Sequence, residues 1–316
     1  MLKDMIALTK PGLLRLNVFA VAVGFWVASK WDISWISLLM VLIGSTLVIA
    51  SACVINNYWD RELDQKMERT KKRIDYINHL KPNFVLGYGI VLGVVGFVLL
   101  YFLVNPLSGW MALLGWFAYI VIYTMWLKRS STWSTSLGGI AGAMPPVIGY
   151  CAVTNQIDVG AWLLFALLFL WQPPHFWSLG IRRVEEYRAA GFPLLPVVKG
   201  VKRTKFQMIP YVFLLLPAVF LLYYYNYVGL VFLLVSAIGG LIWFVHTLSG
   251  LKTQDDEKWA KVNFLISVNY LMVVFIVMYL NMKMPTELAP YEEACCEIGL
   301  DNLWLFQPIL RGVFLL

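Results

Sequence analysis

Nine apolar runs of roughly 20 residues each constrain this chain more than any other feature of it. They fall at about 13–29, 37–58, 84–104, 109–127, 134–153, 159–180, 208–227, 229–247 and 262–282. A bilayer core of about 30 Å takes roughly 20 residues of helix, so each run is long enough to cross. Lipid offers no partner for backbone N–H and C=O groups, and segments this continuously apolar are expected to be helices, not strands. The expected fold class is all-α, a polytopic bundle of nine transmembrane helices around a central cavity. With 316 residues, 60% of them hydrophobic and 14% charged, the chain holds more apolar surface than a water-soluble domain can hide.

The formal charge of +7 does not point to nucleic acid, because the basic residues follow topology. With the N-terminus placed in the cytoplasm, only Lys30, Lys283 and Arg311 of the 25 basic residues fall on the far side. The positive-inside rule therefore fixes the orientation and agrees with an odd number of spans. The N-terminus lacks the charged stretch, short apolar core and cleavage site of a secretory signal, so the first span is expected to be retained. Cys53 and Cys151 are isolated within apolar runs and Cys295 and Cys296 adjoin near the end, which gives neither a disulfide framework nor a zinc pattern.

Links on the non-cytoplasmic side are short, as in NPLSG at 105–109 and TNQID at 154–158. Two cytoplasmic links, 59–83 and 181–207, are long and charged, and each follows a span running outside to inside. Four spans separate them, an arrangement that suggests a parallel duplication around one cavity. Long loops on one face place the chemistry there, with the cavity opening toward the cytoplasm. Residues 1–283 form the expected transmembrane domain. Residues 284–316 are too short and interrupted for a further span and are treated as a tail of unknown role.

The first link opens with NNYWDRELDQKMERTKKR at 56–73. Asn56, Asp60 and Asp64 recur at i, i+4 and i+8, within about 80° of one another on a helix, so three oxygen-bearing side chains share one face. Magnesium is held by one or two carboxylates, with waters and substrate phosphates completing its shell, and this face suits such partial capture. Arg69, Lys72 and Arg73 follow, placed to fold back over a diphosphate and stabilise it as it leaves. Solvated helix-end charges are the ordinary explanation for any one aspartate. Three polar groups on one face of a membrane helix, beside a basic cluster, favour function.

Lys128 and Arg129, in YTMWLKR at 123–129, stand where the fourth span ends and suit phosphate binding or ordinary helix anchoring equally. In GGIAGAMPP at 138–146, Gly138 and Gly142 form a small-xxx-small pair and Pro145–Pro146 interrupt the helix, which predicts close helix packing with a kink ahead of the alternative, direct substrate contact. QPPHFWSLGIRRVEEYRAAGFPLLPVVKG at 172–200 ends the sixth span. Its His175 is either a hydrogen-bonded packing residue or a contact for a metalloporphyrin, since imidazole suits iron. Glu185 and Glu186 are candidates for a second magnesium, or loop charges that balance Arg182, Arg183 and Arg188. His79 and His246 have no spacing partner and are assigned no role.

Taken together, these motifs are very specific. From TKPG at 9–12 to VVKG at 197–200 the chain resembles the UbiA family of intramembrane prenyltransferases, in its heme-modifying branch. The resemblance implies nine helical spans and a Mg2+-dependent transfer of the farnesyl group of farnesyl diphosphate to the vinyl group of heme b, with water addition, giving heme O. It implies that Asn56, Asp60 and Asp64 carry the first metal–diphosphate motif. Family members that modify quinone precursors carry a second Asp-rich motif after the sixth span, where this chain has only Glu185 and Glu186. A heme A synthase acting next is a further expectation. Prenylation of an aromatic quinone precursor is the nearest alternative. A transporter also fits parallel repeats, but the polar groups cluster at one face and form no path through the midplane.

Overall fold

The computed structural model describes residues 1–282, without the side chains of Glu68 and Arg69. The tail expected at 284–316 lies outside the described residues. Among the described residues, nine helices are long and apolar enough to cross a membrane, and they correspond one for one to the nine runs in the sequence.

A short helix, α1 (Leu2–Leu8), leads into α2 (Pro11–Ser29) through Lys10, whose left-handed φ of 53° turns the chain so that Pro11 begins the next helix. Pro suits that first position because its missing N–H has no helical partner there in any case. Next come α3 (Trp35–Asp64) and α4 (Glu68–Leu80). After them, α5 (Pro82–Leu99) runs on as a π-helix over Leu100–Val104. Helix α6 (Pro106–Phe117) continues in the same way over Ala118–Leu127 and ends in the single turn α7 (Lys128–Ser130). Then follow α8 (Ser134–Thr154), α9 (Val159–Arg182), α10 (Val184–Ala189) and α11 (Leu195–Val198). The last three are α12 (Gly200–Tyr224), α13 (Leu230–Ser249) and α14 (Asp256–Leu280).

Three spans begin or end beyond their apolar runs. Helix α3 continues to Asp64, α12 starts at Gly200 and α14 at Asp256, where hydropathy alone marks 58, 208 and 262. At 1.5 Å per residue the 30 residues of α3 reach about 45 Å, well past a bilayer core of about 30 Å. Its last turns therefore project from the apolar zone carrying Asn56, Asp60 and Asp64. Caps settle the short links: Asp158 accepts from Gly160 N at 2.8 Å and Ala161 N at 3.2 Å, and Asn105 accepts from Ser108 N at 2.8 Å.

Helix α8 packs against α2, α6 and α9; α9 packs against α12 and α14; α14 returns to α2 and closes the ring. Both long links emerge at the same end and meet there, with Met67 of one buried among Ala190 and Phe192 of the other. Pro145–Pro146 and Pro173–Pro174 lie inside helices that continue through them. Nor is the closest approach made by Gly138 and Gly142. A Cβ on Gly149 would stand 1.9 Å from the Val21 carbonyl oxygen, and one on Gly24 1.9 Å from that of Pro146. Gly138 and Gly142 instead leave room for the Tyr123 ring and the Gln172 amide.

Gly149→Leu is therefore expected to push α2 and α8 apart and cost about 3 kcal/mol or more. Gly87→Ala, at a position with nothing within 4 Å, should change stability by no more than about 1 kcal/mol and in the stabilising direction. Unfolding curves of the two variants in detergent check the contrast.

Candidate active site

A cavity of about 560 Å³ lies between α2, α3, α6, α8, α9 and α14, and its character changes with depth. At the end carrying the long links it is lined by Lys10, Asn56, Asp64, Arg73 and Lys128; farther in come Phe19, Trp116, Met144, Ile148, Leu168 and Phe275. One compartment thus joins a charged mouth to an apolar interior, the arrangement needed to hold an anionic head and a hydrocarbon tail together.

The polar stripe of α3 is buried, with Asn56 3%, Asp60 1% and Asp64 4% exposed. An ionised carboxylate so placed must be paired and hydrogen-bonded. Lys128 Nζ makes a short ion pair with Asp60 Oδ2, and Arg129 Nη2 approaches Oδ1 at 3.4 Å while also donating to the Trp59 carbonyl at 2.8 Å. Arg73 Nη1 stands 3.5 Å from Asp64 Oδ2. Asn56 is oriented by its own bonds: its Nδ2 donates to Asp60 Oδ2 at 2.8 Å and to Thr124 Oγ1 at 3.0 Å, which leaves Oδ1 as the acceptor facing Lys10 Nζ at 2.5 Å.

Local structure explains how these groups meet. Thr124 donates to the carbonyl of Tyr119, five residues back, within the π-helical stretch that ends at Lys128. Such wider turns recur at functional sites because they re-aim side chains, and here the stretch presents both Thr124 and Lys128 to α3. Lys10 sits on the left-handed residue before α2. Burial at the cavity mouth pushes its ammonium down to about 8, so an incoming anion would stabilise a charge that desolvation disfavours. Lys128 also lies 4.9 Å from the centre of the Phe192 ring, which ties the second long link to the site.

The structure brings together Asn56, Asp60, Asp64, Arg73, Lys128 and Arg129. Lys72 is exposed and is not among the residues lining the cavity. The side chain of Arg69 lies outside those described. Glu185 and Glu186 do not reach the cavity: they pair along α10 with Arg188 at 2.5 Å and with Arg183 at 2.8 Å. His175 lines the apolar interior, with Nδ1 2.8 Å from Ser267 Oγ. Lys10, Thr124, Gln172 and Ser267 were not singled out from the sequence. The TKPG segment, a lysine held by a Pro-Gly turn beside a span, was the one available signal for Lys10.

The donor set fits magnesium. Two carboxylates and an amide oxygen on successive turns of one helix supply hard oxygen ligands on one side and leave the other side to substrate phosphates. Among the described residues no group of three or more His, Cys, Asp or Glu side chains forms a closed cage. Such a set suits a metal that shares its shell with a phosphate-bearing ligand better than a closed protein cage.

A model of the UbiA prenyltransferase family matches residues 17–269. The chain is 43% identical over 288 residues to protoheme IX farnesyltransferase 1 of Bacillus subtilis (strain 168), across 88% of this chain and 90% of that one. It is 44% identical over 276 residues to protoheme IX farnesyltransferase 2 of Pseudomonas putida (strain GB-1), across 87% and 94%. Among solved structures, it resembles a digeranylgeranylglyceryl phosphate synthase with a TM-score of 0.76 at 19% identity, over 88% of this chain and 97% of that one. A UbiA homolog from Archaeoglobus fulgidus bound to DMAPP and Mg2+ gives a TM-score of 0.63 at 14% identity, over 87% and 99%. At these identities the structural likeness is one of fold alone.

Asp60→Ala would leave Lys128 and Arg129 without their counter-charge. The expected loss of stability is about 3 kcal/mol, and the double variant Asp60→Ala/Lys128→Met should recover part of it. Unfolding in detergent measures both.

Proposed function

This chain belongs to the UbiA prenyltransferase family, and from that premise we propose that it transfers the farnesyl group of farnesyl diphosphate to the vinyl group of heme b (protoheme IX), with addition of water, to release heme O and diphosphate. The class of reaction is supported by one observation: a mouth lined by Asn56, Asp64, Lys10, Arg73 and Lys128, with Asp60 paired to Lys128 behind it, opens into an apolar cavity. The choice of heme as acceptor is supported by identity of 43–44%, over most of each chain, to proteins named for that reaction.

In this reading the diphosphate enters the mouth and exchanges partners with the ion pairs already there. Mg2+, held by Asn56, Asp60 and Asp64 together with phosphate oxygens, would neutralise the diphosphate and favour departure of that leaving group. Lys128, Arg129 and Arg73, freed from the carboxylates, turn their hydrogen bonds to the phosphates, where they stabilise charge developing on the leaving oxygen. Lys10 completes the cradle from α2. Arg69 and Lys72 add to the positive field that draws the anion in. Glu185 and Glu186, paired with Arg188 and Arg183, stand outside the cavity and take no part in this cradle.

The carbon–oxygen bond of the diphosphate ester breaks with its electron pair leaving on phosphate. The vinyl π pair of the heme then forms the new carbon–carbon bond, and water adds at the carbon left positive. The apolar walls exclude other water from the first allylic cation and so prevent premature hydrolysis. The heme lies toward the interior end of the cavity, where His175 and Trp171 line the wall. The basic end faces the cytoplasm of a cell whose plasma membrane holds the protein, an orientation supported by its concentration of positive charge, and a heme A synthase is the enzyme that would consume the product.

Membranes containing the chain are expected to form heme O from heme b, farnesyl diphosphate and Mg2+. Chelation of divalent ions should abolish the reaction and re-addition of Mg2+ restore it. Asp60→Asn/Asp64→Asn should lower turnover at least about a hundredfold. Prenylation of a hydroxybenzoate without any heme O, or full turnover in chelator, would contradict the proposal.

A further inference from the structure

Two turns of α9 and one of α14 form a second polar group on the cavity wall, on helices other than the α3 stripe. We infer that Gln172 and His175 hold, and His175 deprotonates, the water molecule that adds to the substrate after the carbon–carbon bond forms, with Ser267 as the positioning residue for the imidazole. The inference rests on the heme-farnesylation reading above and specifies how its hydration step is controlled.

Gln172 and His175 both line the cavity and lie one turn apart on α9. Gln172 is 6% exposed, and both hydrogens of its amide nitrogen are committed, to the Gly139 carbonyl at 3.1 Å and the Leu168 carbonyl at 3.2 Å. An amide nitrogen has two hydrogens and no more, so what Gln172 offers a ligand is the acceptor oxygen Oε1. A Cβ on Gly142 would stand 2.2 Å from that oxygen, so the absence of a side chain there keeps its position free.

The imidazole is fixed with equal economy. Ser267 Oγ donates its single hydrogen to the Phe264 carbonyl at 2.6 Å. Toward His175 Nδ1, 2.8 Å away, the hydroxyl must therefore accept, and the network assigns the hydrogen to Nδ1. A neutral imidazole in that tautomer has its lone pair at Nε2. The ring is stacked between Trp171, with centroids 4.4 Å apart, and Phe264, 4.6 Å apart, and Trp171 Nε1 donates to the Ser267 carbonyl at 2.7 Å.

Two acceptors side by side suit a ligand that brings two hydrogens, whereas iron would engage the Nε2 lone pair alone and leave Gln172 Oε1 unanswered. Water brings two; a diphosphate or a porphyrin carboxylate brings none. A lone pair of the water oxygen forms the carbon–oxygen bond to the positive vinyl-derived carbon, one water hydrogen passes to His175 Nε2, and the other stays as the product hydroxyl. The imidazolium returns its proton to bulk water once product leaves. Without a held water, the same cation resolves by losing a proton from the neighbouring carbon, which gives a farnesylated alkene lacking one water.

The test is product composition, by mass spectrometry in oxygen-18 water, of the full chain in membranes supplied with heme b, farnesyl diphosphate and Mg2+. The parent should give the hydrated, labelled product. Gln172→Leu, Gly142→Ala and the mild variant Ser267→Ala should each raise the ratio of alkene to hydrated product by about tenfold, whatever the overall rate. An unchanged ratio with only slower turnover would overturn the inference. So would a His175→Gln variant that loses the optical signature of bound heme yet keeps the ratio in what product it makes, since His175 would then be an iron ligand. A parent that never farnesylates heme would instead sink the reading beneath it.

Discussion

Asp60 is 1% exposed at the end of a helix that spans lipid, and a charge in that position has to be answered from every side. The answers come from elements far apart in sequence: Asn56 one turn earlier on α3, and Lys128 and Arg129 at the end of the π-helical stretch. Removing any one leaves the others with a desolvated partner, so the cluster fixes where α3 and the end of α6 sit relative to each other. Lys128 then touches Phe192, and through it the second long link is placed over the mouth.

Such a cluster is poised for exchange. In the proposed reaction each cation would pass from its carboxylate to the diphosphate, and each carboxylate from its cation to the metal. Arrival of the metal and the diphosphate together lets both sets of charges change partners without leaving any unpaired. Arrival of either alone does not. The apolar interior behind this mouth makes the separation of tasks physical: charge is handled where charges are compensated, and the carbocation chemistry proceeds where stray water is excluded.

Much of this was legible in the sequence, for physical reasons. Apolar runs read out the nine spans because lipid tolerates nothing else, and the i, i+4, i+8 spacing placed Asn56, Asp60 and Asp64 on one face because helical periodicity is local. What hydropathy missed was the helix continuing through charged residues, as at Arg61–Asp64 and Gly200–Gln207, where solvation and not lipid decides composition. The partners of the stripe were harder to see. Lys10 meets Asn56 across 46 positions, Thr124 across 68, and His175 meets Ser267 across 92, contacts that no local pattern encodes. Glu185 and Glu186 read equally as metal ligands or as loop charges, and in the structure they pair with Arg188 and with Arg183 at the helix start. Gly138 and Gly142 looked like a helix-packing pair, whereas the backbones meet at Gly24 and Gly149.

The proposed reaction depends on joint capture of a divalent ion by the α3 stripe and the substrate. Electron paramagnetic resonance of Mn2+, used in place of Mg2+, tests it directly on the purified chain with a non-cleavable farnesyl diphosphate analogue. The expected result is a bound-ion signal that appears only when the analogue is present and disappears in Asp60→Asn/Asp64→Asn. Equal Mn2+ binding with and without the analogue, or an undiminished signal in the double variant, would contradict it.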